Sequence, residues 1–131
     1  MKVTVYLPGK QPEKHYMDAI REYQKRLLPF CTARLVFQKG NSPANIPERE
    51  HVFAVSPGEK NISSEELADR INQLGLAGKS RISFSLMEDC PERQDGFSLT
   101  PMEMDPGLQA VVLFEQIYRG FQIIHGRPYH K

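Results

Sequence analysis

The chain carries only two cysteines, Cys31 and Cys90. They stand far apart and show no metal-type spacing. Neither a disulfide framework nor a metal site is expected, and both read as reduced thiols of a cytoplasmic protein. No apolar run is long enough to span a bilayer, so no membrane partner is expected. The opening residues Met1 to Lys10 alternate apolar with polar side chains and lack a small-residue cleavage site, unlike a secretory signal. An excess of one charge is missing too. Lys plus Arg number 17 against 16 for Asp plus Glu, so any RNA contact must gather its cations locally.

What is present is an ordinary globular balance, 25% charged and 40% hydrophobic over 131 residues. That length predicts a single domain, 1–131, able to bury a core without disulfides. No internal repeat, low-complexity tract or linker divides it.

Val3–Leu7 is β-branched and aromatic and closes at Pro8-Gly9, which predicts a first strand. Tyr16, Ile20, Tyr23 and Leu27 recur at three- and four-residue steps, predicting a helix from about Glu13 to Leu28 that Pro29 stops. Arg34–Phe37 and His51–Val55 read as strands, separated by a loop at Gln38–Glu50. Ser63 with Glu66 three residues on forms a capping box, and Leu67, Ile71 and Leu74 supply the apolar face of the helix it opens. Gly75 or Gly78 ends that helix. Arg81–Leu86 is a fourth strand, Met87–Gly96 an acidic loop, and Phe97–Met104 holds a short fifth strand. Asp105-Pro106 starts the longest helix, which runs to about His125 and ends at Gly126. Strands alternating with helices predict an α/β fold, a mostly parallel sheet with helices on both faces. Ligands of such sheets sit beyond the carboxyl ends of the strands.

The last helix is apolar almost all round. Leu108, Val111, Val112 and Tyr118 lie on one side, and Leu113, Phe114, Ile117, Phe121 and Ile124 on the other. One sheet face covers only one stripe. The second stripe needs either a second copy of the chain, as in a homodimer, or a central position within one chain. Glu115 and Arg119 sit at i and i+4, acid first. They form either a helical ion pair worth about a few tenths of a kcal/mol or an arginine held at a cleft by its glutamate. Beyond them His125, Arg127, His130 and Lys131 make a basic tail with no acid. Helix-end cations explain the first two; the last two lie past Pro128 and point to phosphate contact.

The stretch Glu115-Gln116-Ile117-Tyr118-Arg119-Gly120-Phe121-Gln122-Ile123-Ile124-His125-Gly126-Arg127-Pro128-Tyr129-His130-Lys131 resembles the C-terminal signature of the RlmH family. These are SPOUT-class methyltransferases acting on a pseudouridine of large-subunit ribosomal RNA. Gly9-Lys10, Glu22-Tyr23-Gln24-Lys25-Arg26-Leu27 and Ser63-Ser64-Glu65-Glu66-Leu67-Ala68 are similar to the family as well. The resemblance implies a SPOUT-like α/β fold with a C-terminal trefoil knot, a homodimer through the last helix, and S-adenosylmethionine bound in the knot. It implies a cofactor loop at Phe97, Ser98, Leu99, Thr100, Pro101 and Met102, with Val55 as apolar neighbour. Methyl transfer needs alignment of nucleophile and methyl and the handling of one proton. Arg119, Tyr129 and His130 are the catalytic candidates, His130 either as base or as phosphate contact. Arg119, Arg127, His130 and Lys131 are the candidates for contact with ribosomal RNA or the ribosome.

Three stretches depart from the family pattern. Met87-Glu88 stands where relatives have a Gly-Gly loop, and is expected to put bulk where the cofactor lies. Asp105 to Ala110 lacks a Pro-His pair and a first-turn arginine. Gln38–Glu50 replaces an additional helix. These leave open an active ribosomal RNA methyltransferase, a catalytically degenerate SPOUT-like homodimer that binds RNA or the ribosome, and a methyltransferase with another substrate.

Overall fold

The structure, a computed structural model, describes residues 1–40, 46–88 and 95–127. The strands are β1 (Lys2–Pro8), β2 (Thr32–Gln38), β3 (His51–Val55), β4 (Arg81–Ser85) and β5 (Asp95–Phe97). The helices are α1 (Lys14–Leu27), α2 (Ser64–Leu76) and α3 (Pro106–Ile124). The sheet runs β2-β1-β4-β3-β5 with every pair parallel. The fifth strand lies earlier than the expected Phe97–Met104. Past Phe97 the chain leaves the ladder, keeping one isolated bridge between Asn61 and Ser98. The threading of a knot would involve the connection from β4 to β5, part of which (89–94) lies outside the described residues, as does Cys90.

The α/β class and the parallel sheet are those the sequence predicts; the placement of helices differs in one respect. The connections β1–α1–β2 and β3–α2–β4 step the same way across the sheet. Right-handed crossovers then put both helices on one face. The core agrees: Val3, Val5 and Leu7 of β1, Phe53 and Val55 of β3, and Ile82 and Phe84 of β4 form one cluster with residues of all three helices. The opposite face carries Lys2, Thr4 and Tyr6 beside Arg81, Ser83 and Ser85 in register. It is mixed, because Tyr6, Val36, Val52 and Ala54 stand among these polar residues in register, and Glu50 reaches across it to accept a 2.6 Å hydrogen bond from the Ser83 hydroxyl.

Helix ends follow local chemistry. The Ser63 hydroxyl accepts from the Glu66 amide at 3.0 Å. The reciprocal arm of the box is not formed, because the Glu66 carboxylate takes Arg70 at 3.4 Å. Gly78, not Gly75, ends α2: its φ is +82°, and the Lys79 amide donates to the Leu74 carbonyl at 2.9 Å. Asp105 caps α3 by accepting from the Gly107 amide at 2.9 Å.

α3 lies between α1 and α2 and over β1. Leu113, Phe114 and Ile117 are fully buried, each stabilising the fold by about 1.5–3 kcal/mol. Much of the second apolar stripe is thus covered within the chain. Leu108 remains exposed, and Val111, Val112 and Tyr118 are half-buried. The Leu113 side is therefore covered within the chain, and the Leu108 side is the one a second copy would cover.

Gly107 lets the first turn of α3 meet α1. A Cβ there would stand 2.6 Å from Tyr16 Cδ2 and 3.0 Å from Asp105 Oδ2. Gly107→Ala is expected to lower unfolding free energy by about 1–3 kcal/mol in urea melts. Gly120→Ala is the control: its methyl would meet Ile71 Cδ1 at 3.6 Å, an ordinary contact, and the change should stay within about 0.5 kcal/mol or stabilise.

Cys31 is buried, and burial pushes its thiol up to about 11. The neutral thiol is the form the fold favours. Its contribution is complete below the ordinary value of 9.0 and is lost as pH rises through about 11. In a Cys90→Ser variant, Ellman's reagent at pH 8 should leave Cys31 unlabelled until denaturant is added. Prompt labelling of native protein would contradict its burial.

Candidate cofactor site and basic tail

The segment after β5 is tied to the loop after β3. The Ser56 amide donates to the Phe97 carbonyl at 3.3 Å, the Ser98 amide to Lys60 at 3.0 Å, and the Gly58 amide to Thr100 at 3.1 Å. The Thr100 hydroxyl accepts from the Met102 amide at 3.2 Å. Among the described residues no hydrogen bond engages the peptide groups of Leu99. This places one half-buried peptide with free donor and acceptor at the carboxyl end of the sheet, where parallel sheets hold ligands.

Two cavities flank this segment, and Phe97 and Ser98 line both. One, of about 270 Å³, is walled by Ile62, Leu67, Leu99 and Val112 with the hydroxyl residues Ser63 and Ser64 and with Gln116. The other, of about 390 Å³, is bounded by Ala54, Gly96 and the loop Ser56–Lys60. Volumes of ligand sites are about 300–1,000 Å³, so the second lies within that range and the first just below it. Val55 is buried and pairs with Phe97 in register, but lines neither cavity. Pro101 and Met102 are exposed and line neither. Phe97 itself is core, packed edge-on to Phe53 and Phe84.

A chain of hydrogen bonds leads from the smaller cavity along α3. The Ser64 hydroxyl donates to Gln116 Oε1 at 2.6 Å. Gln116 Nε2 donates to Glu115 Oε2 at 2.7 Å. Arg119 Nη2 donates to Glu115 Oε1 at 3.1 Å. Arg119 is about a quarter exposed, so Glu115 holds it at a partly dry surface rather than in free solvent. The helical pair read from the sequence is therefore also an arginine oriented by its glutamate. Sequence reasoning missed Ser64 and Gln116. They lie 52 positions apart, and no local pattern signals such a contact.

Gly126 turns the tail. Its φ is +63°, and the Arg127 amide donates to the Gln122 carbonyl at 2.9 Å, a left-handed helix end that only glycine enters without strain. The Arg127 guanidinium lies 5.0 Å over the Phe30 ring, and His125 stacks on the same ring at 4.8 Å. At 1.5 Å rise per residue, the helix carries this tail about 14 Å from Gln116. Arg119 and Arg127 are therefore not brought to one point within the chain. Tyr129, His130 and Lys131 lie outside the described residues.

A family model described as "Predicted SPOUT methyltransferase" matches residues 1–130. The chain belongs to the SPOUT methyltransferases. Within them it falls with the RlmH group. It is 38% identical over 135 aligned residues to ribosomal RNA large subunit methyltransferase H 1 of Thermoanaerobacter sp. (strain X514), covering 100% of both chains. Over 159 aligned residues it is 34% identical to ribosomal RNA large subunit methyltransferase H of Alkaliphilus oremlandii (strain OhILAs), and 35% to that of Clostridium novyi (strain NT), again covering 100% of each chain. The longer alignments exceed the 131 residues of this SPOUT chain, so the excess falls opposite gaps in it. The Thermoanaerobacter relative shares the compact form.

The family implies S-adenosylmethionine, and the residues fit its adenosyl part. Apolar walls with a free peptide suit a purine, and Ser64 and Ser98 bring hydroxyls. The steric objection raised by Met87-Glu88 is not seen among the described residues. Met87 is 3% exposed and lines neither cavity, and Glu88 is exposed. Among the described residues no group of three or more His, Cys, Asp or Glu could hold a metal, and no helix is long and apolar enough to cross a membrane.

Val112→Trp places an indole in the smaller cavity of this SPOUT protein. It is expected to weaken S-adenosylmethionine binding at least about tenfold in calorimetry, about 1.4 kcal/mol. Unchanged affinity would move the cofactor out of that cavity.

Proposed function

We propose that this chain is an S-adenosylmethionine-dependent methyltransferase of large-subunit ribosomal RNA, acting on a pseudouridine as a homodimer in the cytoplasm. The observation that carries the reading is the free Leu99 peptide over a serine-lined apolar cavity, in a chain of this family. Relatives named ribosomal RNA large subunit methyltransferase H support the substrate class.

The cofactor supplies an electrophilic methyl on a sulfonium. Ile62, Leu67, Leu99 and Val112 would hold the adenine and exclude water. Ser64 and Ser98 would meet the ribose. Arg119, held by Glu115, would orient the target base or its phosphate. His130, with Tyr129 beside it, would take the proton from the pseudouridine imide nitrogen, because neutral imidazole is a base near pH 7. Arg127 and Lys131 would contact RNA phosphates.

Two observations support the homodimer: the incompletely covered Leu108 side of α3 and the distance along that helix. α3 carries Arg127 away from that chain's own cavity, so in this reading a complete site takes its cavity from one protomer and its tail from the other. A second reading, an RNA-binding homodimer without methyl transfer, is favoured by Met87-Glu88 in place of the glycine pair. Transfer of labelled methyl groups to large ribosomal subunits decides between the two. Incorporation supports the enzyme; RNA binding without incorporation supports the second reading.

The shared site has its own test. Val112→Trp and Arg127→Ala should each be poorly active alone. Mixed in equal amounts after subunit exchange, they should regain about a quarter of wild-type activity, because half the dimers then carry one intact site. No recovery would place cavity and tail of one site in the same chain.

A further inference from the structure

The sheet has a second end, and its chemistry is unlike the first. At the amino ends of the strands, Arg49, Gly78, Lys79, Ser80 and Arg81 line a cavity of about 410 Å³. A neighbouring cavity of about 170 Å³ is lined by Lys2, Thr4, Thr32, Arg34, Glu50 and Arg81. Arg81 belongs to both. Lys2 pairs with Arg81 in register, and Thr4 with Arg34, so Arg34, Lys2 and Arg81 share one face of three adjacent strands. Adjacent strands lie about 4.8 Å apart, which sets Lys2 beside Arg81, with Arg34 diagonal to them two residues further along its strand.

Five cations gather here in a chain of net charge +1. On the helices Lys14, Arg21, Arg26, Arg70 and Arg119 each have a carboxylate three or four residues away. Among the described residues none of Lys2, Arg34, Arg49, Lys79 and Arg81 is in an ion pair or a side-chain hydrogen bond. The one acid, Glu50, is engaged by the Ser83 hydroxyl. Glu50 still offsets one of these charges, but five cations against one carboxylate leave a positive excess, and an anion relieves its repulsion.

We infer that this end of the sheet is a second RNA-contact surface, holding backbone phosphates of the substrate RNA at a distance from the methyl-transfer site. The inference rests on the proposed function. No apolar side chain lines either cavity, so the buried aromatic or aliphatic anchors of a protein interface are missing. Guanidinium forks and hydroxyls in a polar cleft suit phosphate oxygens. β4 has five residues, and at about 3.3 Å each the two ends lie roughly 16 Å apart. An RNA engaged at both would be fixed in orientation while the site reads one base, which is how phosphate contacts position a substrate without specifying it.

The test combines Arg34→Ala, Lys79→Ala and Arg81→Ala in the full chain. Fluorescein-labelled oligouridine and large ribosomal subunits are the RNA probes; polyglutamate and inorganic phosphate are the comparators. Calorimetry with S-adenosylmethionine is run on the same preparations. The triple variant should bind RNA at least about tenfold more weakly and lose about two units of slope in log affinity against log salt, roughly 0.7 for each phosphate contact removed. Its cofactor affinity should be unchanged. Should Arg81→Ala disturb the sheet, Arg49→Ala with Lys79→Ala, both exposed residues outside helices and strands, is measured in its place. Unchanged RNA affinity and slope, in a protein whose wild type methylates RNA, overturns this inference alone. Loss confined to polyglutamate assigns the surface to an acidic protein, and loss confined to inorganic phosphate assigns it to a small anion; either overturns the inference. A wild type that binds neither cofactor nor RNA overturns the proposed function and this inference with it.

Discussion

The position of α3 between α1 and α2 is the constraint on which the rest depends. Gly107 lets it approach Tyr16 of α1, where a Cβ would lie 2.6 Å from the ring, whereas at Gly120 a Cβ would meet α2 only at ordinary contact distance. Leu113, Phe114 and Ile117 fill the space over β1. With the helix fixed there, Val112 and Gln116 become one wall of the cavity and Ser64 becomes its neighbour. The same helix fixes Gly126, and with it the turn that lays Arg127 over Phe30. Core packing thus sets both halves of the proposed site and the distance between them.

Much of this was legible in the sequence because it rests on local rules. Asp105-Pro106 marks the start of α3 through capping, and His51–Val55 is a strand with the bounds its β-branched pattern predicts. The tail signature gave the family. What was not legible depends on contacts between distant residues. The one-faced arrangement of helices follows from strand order, which periodicity does not encode. The bond between Ser64 and Gln116, the placement of Met87 outside the cavities and the covering of the Leu113 side of α3 all need the assembled chain. The half of the capping box that failed did so because Arg70, four residues on, competes for the Glu66 carboxylate.

The compact form of the chain has a physical consequence for the sheet. Alignments to longer relatives span 159 residues against the 131 of this chain, and the sheet face away from the helices here mixes polar and apolar residues. Thr4, Ser83 and Ser85 are buried there, and Glu50 satisfies Ser83 rather than any of the nearby cations. A mixed sheet face with cations along its amino end is a different surface from the apolar face that holds α3. The two are suited to different tasks, one to binding charge and the other to building the cofactor site.

The central claim is that the wall at Phe97–Leu99 and the cavity beside it hold S-adenosylmethionine despite Met87-Glu88. Isothermal titration of purified wild-type protein with S-adenosylmethionine tests it most directly. The account predicts saturable binding in about the micromolar range, about −8 kcal/mol. No heat of binding up to about millimolar cofactor, near −4 kcal/mol, in a folded protein would contradict it.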